Sequence, residues 1–275
     1  MAVGPDSSAP SGTPVRVALT IAGSDSGAGA GIQADLKTFA AHGLYGVCAI
    51  TAVTAQNTTA VTAVEVVSRR VVRAQIEALV ADFPIAAAKT GMLANAEIVT
   101  AVAQAVREFA IPHLVVDPVM VAKSGDALLN TLAVEALRRN LLPLATVVTP
   151  NLPEAEVLAD MRILSEEDVA EAARRIAAFG PQAVLIKGGH AGTEQIVDLL
   201  FDGTTVTRFP QPRVPGRNTH GTGCTFAAAL AARLALGDGL AAAIPAVQAY
   251  VAGAIEHAPN LGGGHGPMDH FWRTR

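Results

Sequence analysis

Cysteine is scarce, with only Cys48 and Cys224 in 275 residues. Two distant thiols make no disulfide framework, so a reducing, cytoplasmic setting is expected. Aromatic residues amount to 4% and charged residues to 16%, against 51% hydrophobic. So little charge beside so much Ala and Val excludes a disordered chain and suits strands covered on both faces. Net charge is −4 with no block of like sign, which leaves no electrostatic footprint for nucleic acid. No apolar run reaches the roughly 18 to 20 residues of a membrane span. Residues 226–236 come nearest, and Arg233 interrupts them. A Walker A sequence is absent, which excludes a P-loop kinase. Residues 1–14 lack the basic start and apolar centre of a secretory signal. They are expected to be a disordered tail before a single domain at 15–275.

What the chain does contain is alternation. Residues 15–22 form a short apolar run ending at Gly23, as a buried strand does. Residues 30–42 read as a helix closed by Gly43. Strands are expected at 47–53, 85–89, 114–116, 146–148 and 183–186. Helices are expected at 72–83, 98–109, 132–140, 166–179, 223–236 and 240–257. Residues 196–201 and 204–209 read as a hairpin with Asp202-Gly203 as a two-residue turn. Such alternation implies a mostly parallel sheet with helices on both faces, and ligands bind such sheets at the strands' carboxyl ends. The polar and glycine motifs fall at those ends.

Asn218-Thr219-His220-Gly221-Thr222-Gly223-Cys224-Thr225 precedes an apolar helix. Gly221 and Gly223 let the backbone bend, and the helix start would aim free N–H groups at an anion. The same pattern also describes a plain glycine turn with a Thr cap. Cys224 at that helix start is either a thiol of lowered pKa or a small packing residue. Asp117 and Glu154 follow strands, where a kinase needs carboxylates near Mg²⁺, although each also reads as a cap or a solvated charge. Lys187 beside Gly188-Gly189-His190 offers a cation to phosphate. Gly29-Ala30-Gly31-Ile32-Gln33-Ala34 fits the dinucleotide glycine pattern, but residues 47–54 contain no acid to bind a ribose.

In this order the segments resemble the hydroxymethylpyrimidine/phosphomethylpyrimidine kinases of the ribokinase-like superfamily. The resemblance rests on Ala22-Gly23-Ser24-Asp25, Gly31-Ile32-Gln33-Ala34-Asp35, Thr54-Ala55-Gln56-Asn57, Lys89-Thr90-Gly91-Met92 and Asp117-Pro118-Val119-Met120. It continues through Val121-Ala122-Lys123-Ser124-Gly125, Thr149-Pro150-Asn151-Leu152-Pro153-Glu154, Lys187-Gly188-Gly189-His190, the 218–225 loop and Gly266-Pro267-Met268-Asp269. It implies a ribokinase-like three-layer α/β/α sandwich. It also implies transfer of phosphate from ATP with Mg²⁺ to 4-amino-5-hydroxymethyl-2-methylpyrimidine, then to its monophosphate, for thiamine assembly. By position, Gln56 and Asp35 would hydrogen-bond the aminopyrimidine, with Ala30, Thr54, Met92 and Val119 lining its pocket. Thr54 stands where the resemblance implies Val or Leu. Gly221, Thr222, Gly223 and Cys224 would form the anion hole, with Cys224 acting beside the loop's N–H groups. Lys187 and Asn151 would meet the phosphates, and Asp117 and Glu154 the metal. A homodimer is expected. The rival readings are pyridoxal kinase on the same fold, a non-catalytic pyrimidine sensor and, least supported, a dinucleotide oxidoreductase.

Overall fold

The computed structural model describes residues 14–120, 131–188 and 195–275. The expectations for residues 1–13, for 121–125 and for Gly189 and His190 lie outside the described residues. In chain order the elements are β1 (Val17–Asp25), α1 (Gly31–Ala41), β2 (Tyr45–Gln56), β3 (Val61–Val66), α2 (Arg69–Asp82) and β4 (Ile85–Thr90). Next come α3 (Ala96–Glu108), β5 (Leu114–Val116), α4 (Thr131–Ala136), β6 (Val147–Val148), α5 (Leu152–Ala159) and α6 (Glu166–Ala177). The chain continues through β7 (Val184–Ile186), β8 (Gln195–Phe201), β9 (Val206–Pro212), α7 (Thr222–Ala235) and α8 (Leu240–Glu256).

Among the described residues one nine-stranded sheet runs in the order β3-β2-β1-β4-β5-β6-β7-β8-β9. The six strands from β2 to β7 in that order are parallel. The antiparallel partners sit at the margins, β3 on β2 and β8–β9 on β7. The side-chain period of two explains why the central strands are apolar throughout. Leu19 and Ile21, Leu114 and Val116, and Val184 and Ile186 face the layer formed by α2 to α6. Ala18, Val115 and Leu185 face the layer of α1, α7 and α8. On α7, Ala227, Ala228, Ala229, Ala231 and Ala232 are all fully buried, so this helix lies close against the sheet. This is the three-layer α/β/α architecture.

Two local expectations need correction, and two elements were not expected. The 202–205 connection is a four-residue loop, since Phe201 pairs with Val206. Asp202 Oδ1 accepts from the N–H groups of Thr204 and Thr205 and braces that longer loop. Strand β3 was not expected, because its side chains are largely exposed at the sheet edge and give no core signal. Helix α4 ends at Ala136 and continues as a π-helical turn, Leu137–Leu141, so the expected single helix over 132–140 changes pitch. Helix α5 also escaped prediction. It is short, and an Asn151–Glu154 capping box starts it.

From β1 the chain passes to β2 on one side and later to β4 on the other. The strand order therefore reverses beside β1, and a crevice opens at the carboxyl ends there. No helix among the described residues is long and apolar enough to cross a membrane.

Candidate active site

A cavity of ≈ 640 Å³ occupies this crevice. Each central strand delivers a residue to it. Gly23, Ser24 and Asp25 come from the end of β1, and Thr54 and Gln56 from the end of β2. Met92 follows β4, Asp117 follows β5, Asn151 follows β6 and Lys187 follows β7. The start of α7 closes one wall with Gly221, Thr222, Gly223 and Cys224, while Ala30, Val119 and Glu154 complete the lining.

At one end of the cavity the charges pair. Lys187 Nζ lies 3.1 Å from Asp117 Oδ1. Asp117 Oδ2 has no partner among the described residues. Gly223 stands over this pair: a Cβ there would lie 3.4 Å from Lys187 Nζ and 3.8 Å from Asp117 Oδ2. The turn before it depends on Gly221, whose φ is +79° and whose Cβ would fall 1.9 Å from the Gly29 carbonyl oxygen. Of the first α7 donors, Thr222 N–H is taken by Thr219 and Thr225 N–H by Gly221. Those of Gly223 and Cys224 have no intrahelical acceptor, as at any helix start, and the helix dipole adds positive potential.

Glu154 is buried, and its Oε2 accepts from Asn151 N–H at 2.9 Å while Asn151 Oδ1 accepts from Glu154 N–H. Burial pushes its carboxyl up to about 7. Lys187 opposes this, Asp117 adds to it, and the Asn151 and Met120 N–H groups pull it down. Glu154 is thus a helix cap that also faces the cavity.

Two expectations change. Asp35 does not reach the cavity. It is fully buried, holds Lys89 Nζ at 2.9 and 3.1 Å, and accepts from Thr20 Oγ1 at 2.6 Å. Its face of α1 looks inward, so it braces β1, β4 and α1 behind the cavity wall. Cys224 has no lowered pKa. Burial pushes the thiol up to about 11, and Lys89 does not offset it.

Sequence reading assigned no role to Asp25 or Lys89, and it treated His220 as an incidental loop residue. Asp25 accepts from the N–H groups of Gly27, Gly29 and Ala30 at 2.8 to 3.1 Å and from His220 Nε2 at 2.8 Å. His220 N–H in turn donates to Gly266. The pair therefore ties the 27–31 glycine turn to the anion loop and to the C-terminal segment. The available signal was an Asp two residues before a glycine run, the sequence form of a side chain that caps its own turn.

Comparison with known proteins fits this geometry. The profile of a family described as phosphomethylpyrimidine kinase matches residues 25–269. The chain belongs to that family. It is 53% identical to the hydroxymethylpyrimidine/phosphomethylpyrimidine kinase of Rhizobium meliloti, over 94% of this chain and 97% of the relative. It is 50% identical to the thiamine biosynthesis bifunctional protein ThiED of Geobacter sulfurreducens, over 92% of this chain and 52% of that longer protein. The pyridoxal kinase of Staphylococcus aureus, solved with AMP-PCP and pyridoxal, superposes with a TM-score of 0.87 at 38% identity, over 95% of this chain and 96% of that one. The fold is ribokinase-like.

Proposed function

We propose that this kinase transfers phosphate from MgATP to 4-amino-5-hydroxymethyl-2-methylpyrimidine and then to the monophosphate, serving thiamine biosynthesis. The observation that carries the reading is the junction of two chemistries in one cavity. Lys187, Asp117 and the open start of α7 form a phosphate end. Thr54, Gln56, Ala30, Met92 and Val119 form an end for a small flat ring.

Phosphoryl transfer proceeds through a loose transition state, so positioning and charge stabilisation do most of the work. Lys187 and the Gly223 and Cys224 N–H groups face the charge that develops on the transferred oxygens. Asp117, with Lys187 on one oxygen and the other open, suits an ion held chiefly by phosphate oxygens and water. Glu154 stands beside it with its carboxylate already receiving backbone donors. The donor set fits Mg²⁺, and among the described residues no group of three His, Cys, Asp or Glu side chains offers an all-protein cage. Bound with the nucleotide, Mg²⁺ would neutralise the phosphate oxygens.

The test is incubation of purified protein with MgATP and the hydroxymethylpyrimidine, followed by mass spectrometry, with pyridoxal in parallel. Successive mono- and diphosphate are expected. Phosphorylation of pyridoxal alone would move the substrate to vitamin B6, a reading favoured by the structural likeness to the pyridoxal kinase. No transfer to either would overturn the proposal.

A further inference from the structure

Asp198 on β8 is a buried carboxylate outside the cavity lining. It stands where the antiparallel pairing of β7 with β8 ends, next to Leu199, which faces Ile186. There the chain leaves the sheet and delivers Lys187 to the phosphate end. Asp198 Oδ1 accepts from Gly188 N–H at 2.9 Å, so a side chain takes over where the backbone ladder stops. Its Oδ2 accepts from Gln248 Nε2 on α8 at 2.8 Å, and the same amide donates to the Phe209 carbonyl on β9 at 3.0 Å. On the other side, Lys187 N–H donates to the Pro150 carbonyl at 2.8 Å. Both peptides that flank the Lys187 α-carbon are therefore held. Gly188 permits the close approach to β8, since a Cβ there would fall 2.2 Å from the Val197 carbonyl oxygen. Burial pushes the Asp198 carboxyl up, and the Gln248 and Gly188 donors and the charge of Lys187 oppose it.

We propose that Asp198 is a positioning residue for phosphoryl transfer: it fixes the peptide after Lys187 and thereby aims the Lys187 ammonium at the phosphate end. The inference rests on the proposed reading that Lys187 faces the transferred phosphate. A lysine is a point charge on a flexible stem, and the 3.1 Å pair with Asp117 holds only its far end. Pinning both flanking peptides fixes φ and ψ at its root, so the stem leaves the backbone in one direction. A carboxylate suits this task because it accepts on both oxygens, one for Gly188 and one for Gln248. An amide would set an NH₂ group against one of those donors. Hydrogen bonds to an ionised oxygen are also the stronger kind. Misplacement by about 1 Å can cost 100-fold in rate, so a residue that touches no substrate can still govern the transfer step.

The experiment is a double-mutant cycle of Asp198→Ala and Lys187→Ala. It is read by kcat and KM with MgATP and the hydroxymethylpyrimidine, and by calorimetric Kd for Mg-AMP-PCP. Asp198→Ala should lower kcat about 10- to 100-fold, the range from one lost charged hydrogen bond to a misplaced group. It should also weaken nucleotide binding. KM for the pyrimidine should stay within about twofold, as for independent sites, because Thr54 and Gln56 line the other end of the cavity. In the Lys187→Ala background the same substitution should change kcat by less than about threefold, since the lysine it aims is gone. Asp198→Asn keeps an acceptor for Gly188 and should recover most of the loss. A merely structural role predicts losses that multiply across the cycle, or a lower melting temperature at unchanged kcat, and either result overturns the inference. If Asp198→Ala fails to fold, Asp198→Val combined with Gln248→Leu removes the buried donor together with its acceptor and takes its place in the cycle. If wild type phosphorylates no pyrimidine, the proposed function fails while the AMP-PCP cycle still decides the role of Asp198. Equal loss of affinity in both single variants and the double supports positioning, and multiplying losses overturn it. A wild type that binds no nucleotide overturns both.

Discussion

The Cys224 thiol sits at the start of α7, where a helix dipole and Lys89 favour its ionised form. Burial outweighs both, with Asp35 and Asp117 on the same side, and the thiol rises to about 11. At neutral pH roughly one molecule in ten thousand then carries a thiolate. A general base contributes about 100- to 10,000-fold to a rate, and this group is poorly placed to supply it. Cys224→Ser should therefore keep kcat within about tenfold of wild type, because the loop N–H groups remain. Steady-state kinetics would check this, and a loss of 100-fold or more would return the thiol to the role of base. Slow alkylation of Cys224 at pH 7 belongs to the same expectation.

At the scale of the element, the turn into α7 contains two glycines with different reasons. Gly221 needs a left-handed backbone and close approach to Gly29, whereas a Cβ on Gly223 would meet only the Lys187 and Asp117 side chains, at ordinary contact distance. Gly221→Ala should cost about 2 kcal/mol or more through strain and displacement of the 27–31 turn. Gly223→Ala should keep the melting temperature within a few degrees but lower kcat, since its methyl group enters the phosphate end. Thermal denaturation beside kinetics separates the two. Equal stability loss in both variants would show that the space above Lys187 is not what Gly223 protects. Much of this element was legible in the sequence, because a glycine pair before an apolar run specifies a tight turn into a buried helix. The partner surface was not legible. Gly29 and His220 meet across nearly the whole chain, and no local pattern encodes a contact between Asp25 and His220.

At the scale of the whole molecule, the same divide holds. Strands buried on both faces announce themselves as apolar runs, so the parallel sheet and its ligand-binding end followed from the sequence. Edge strand β3 did not, because exposure erases the pattern. The role of Asp35 came only from the resemblance, and no local pattern announced its partner Lys89, which is 54 residues away and fully buried with it. The C-terminal segment is another long-range feature. His270 is buried, with Nε2 3.0 Å from Thr225 Oγ1 on α7 and its carbonyl accepting from Tyr250 on α8. Burial pulls this histidine from 6.5 down to about 4, Lys37 adds to the effect, and Asp269 opposes it. The unfolded chain then binds a proton that the folded protein refuses, so His270 makes stability fall as pH drops from about 6.5 to 4. The full effect is at most about 3 kcal/mol. Glu154 runs the other way, because its raised carboxyl makes stability fall as pH rises from about 4.5 to 7. The wild-type slope alone therefore decides nothing, and the difference between proteins does. His270→Gln should remove the acid-side loss, so its stability relative to wild type rises as pH is lowered from 6.5 to 4.5. Urea unfolding at those two pH values measures the difference. If the offset between variant and wild type is the same at both, His270 titrates normally and the C-terminal segment is not sealed against α7.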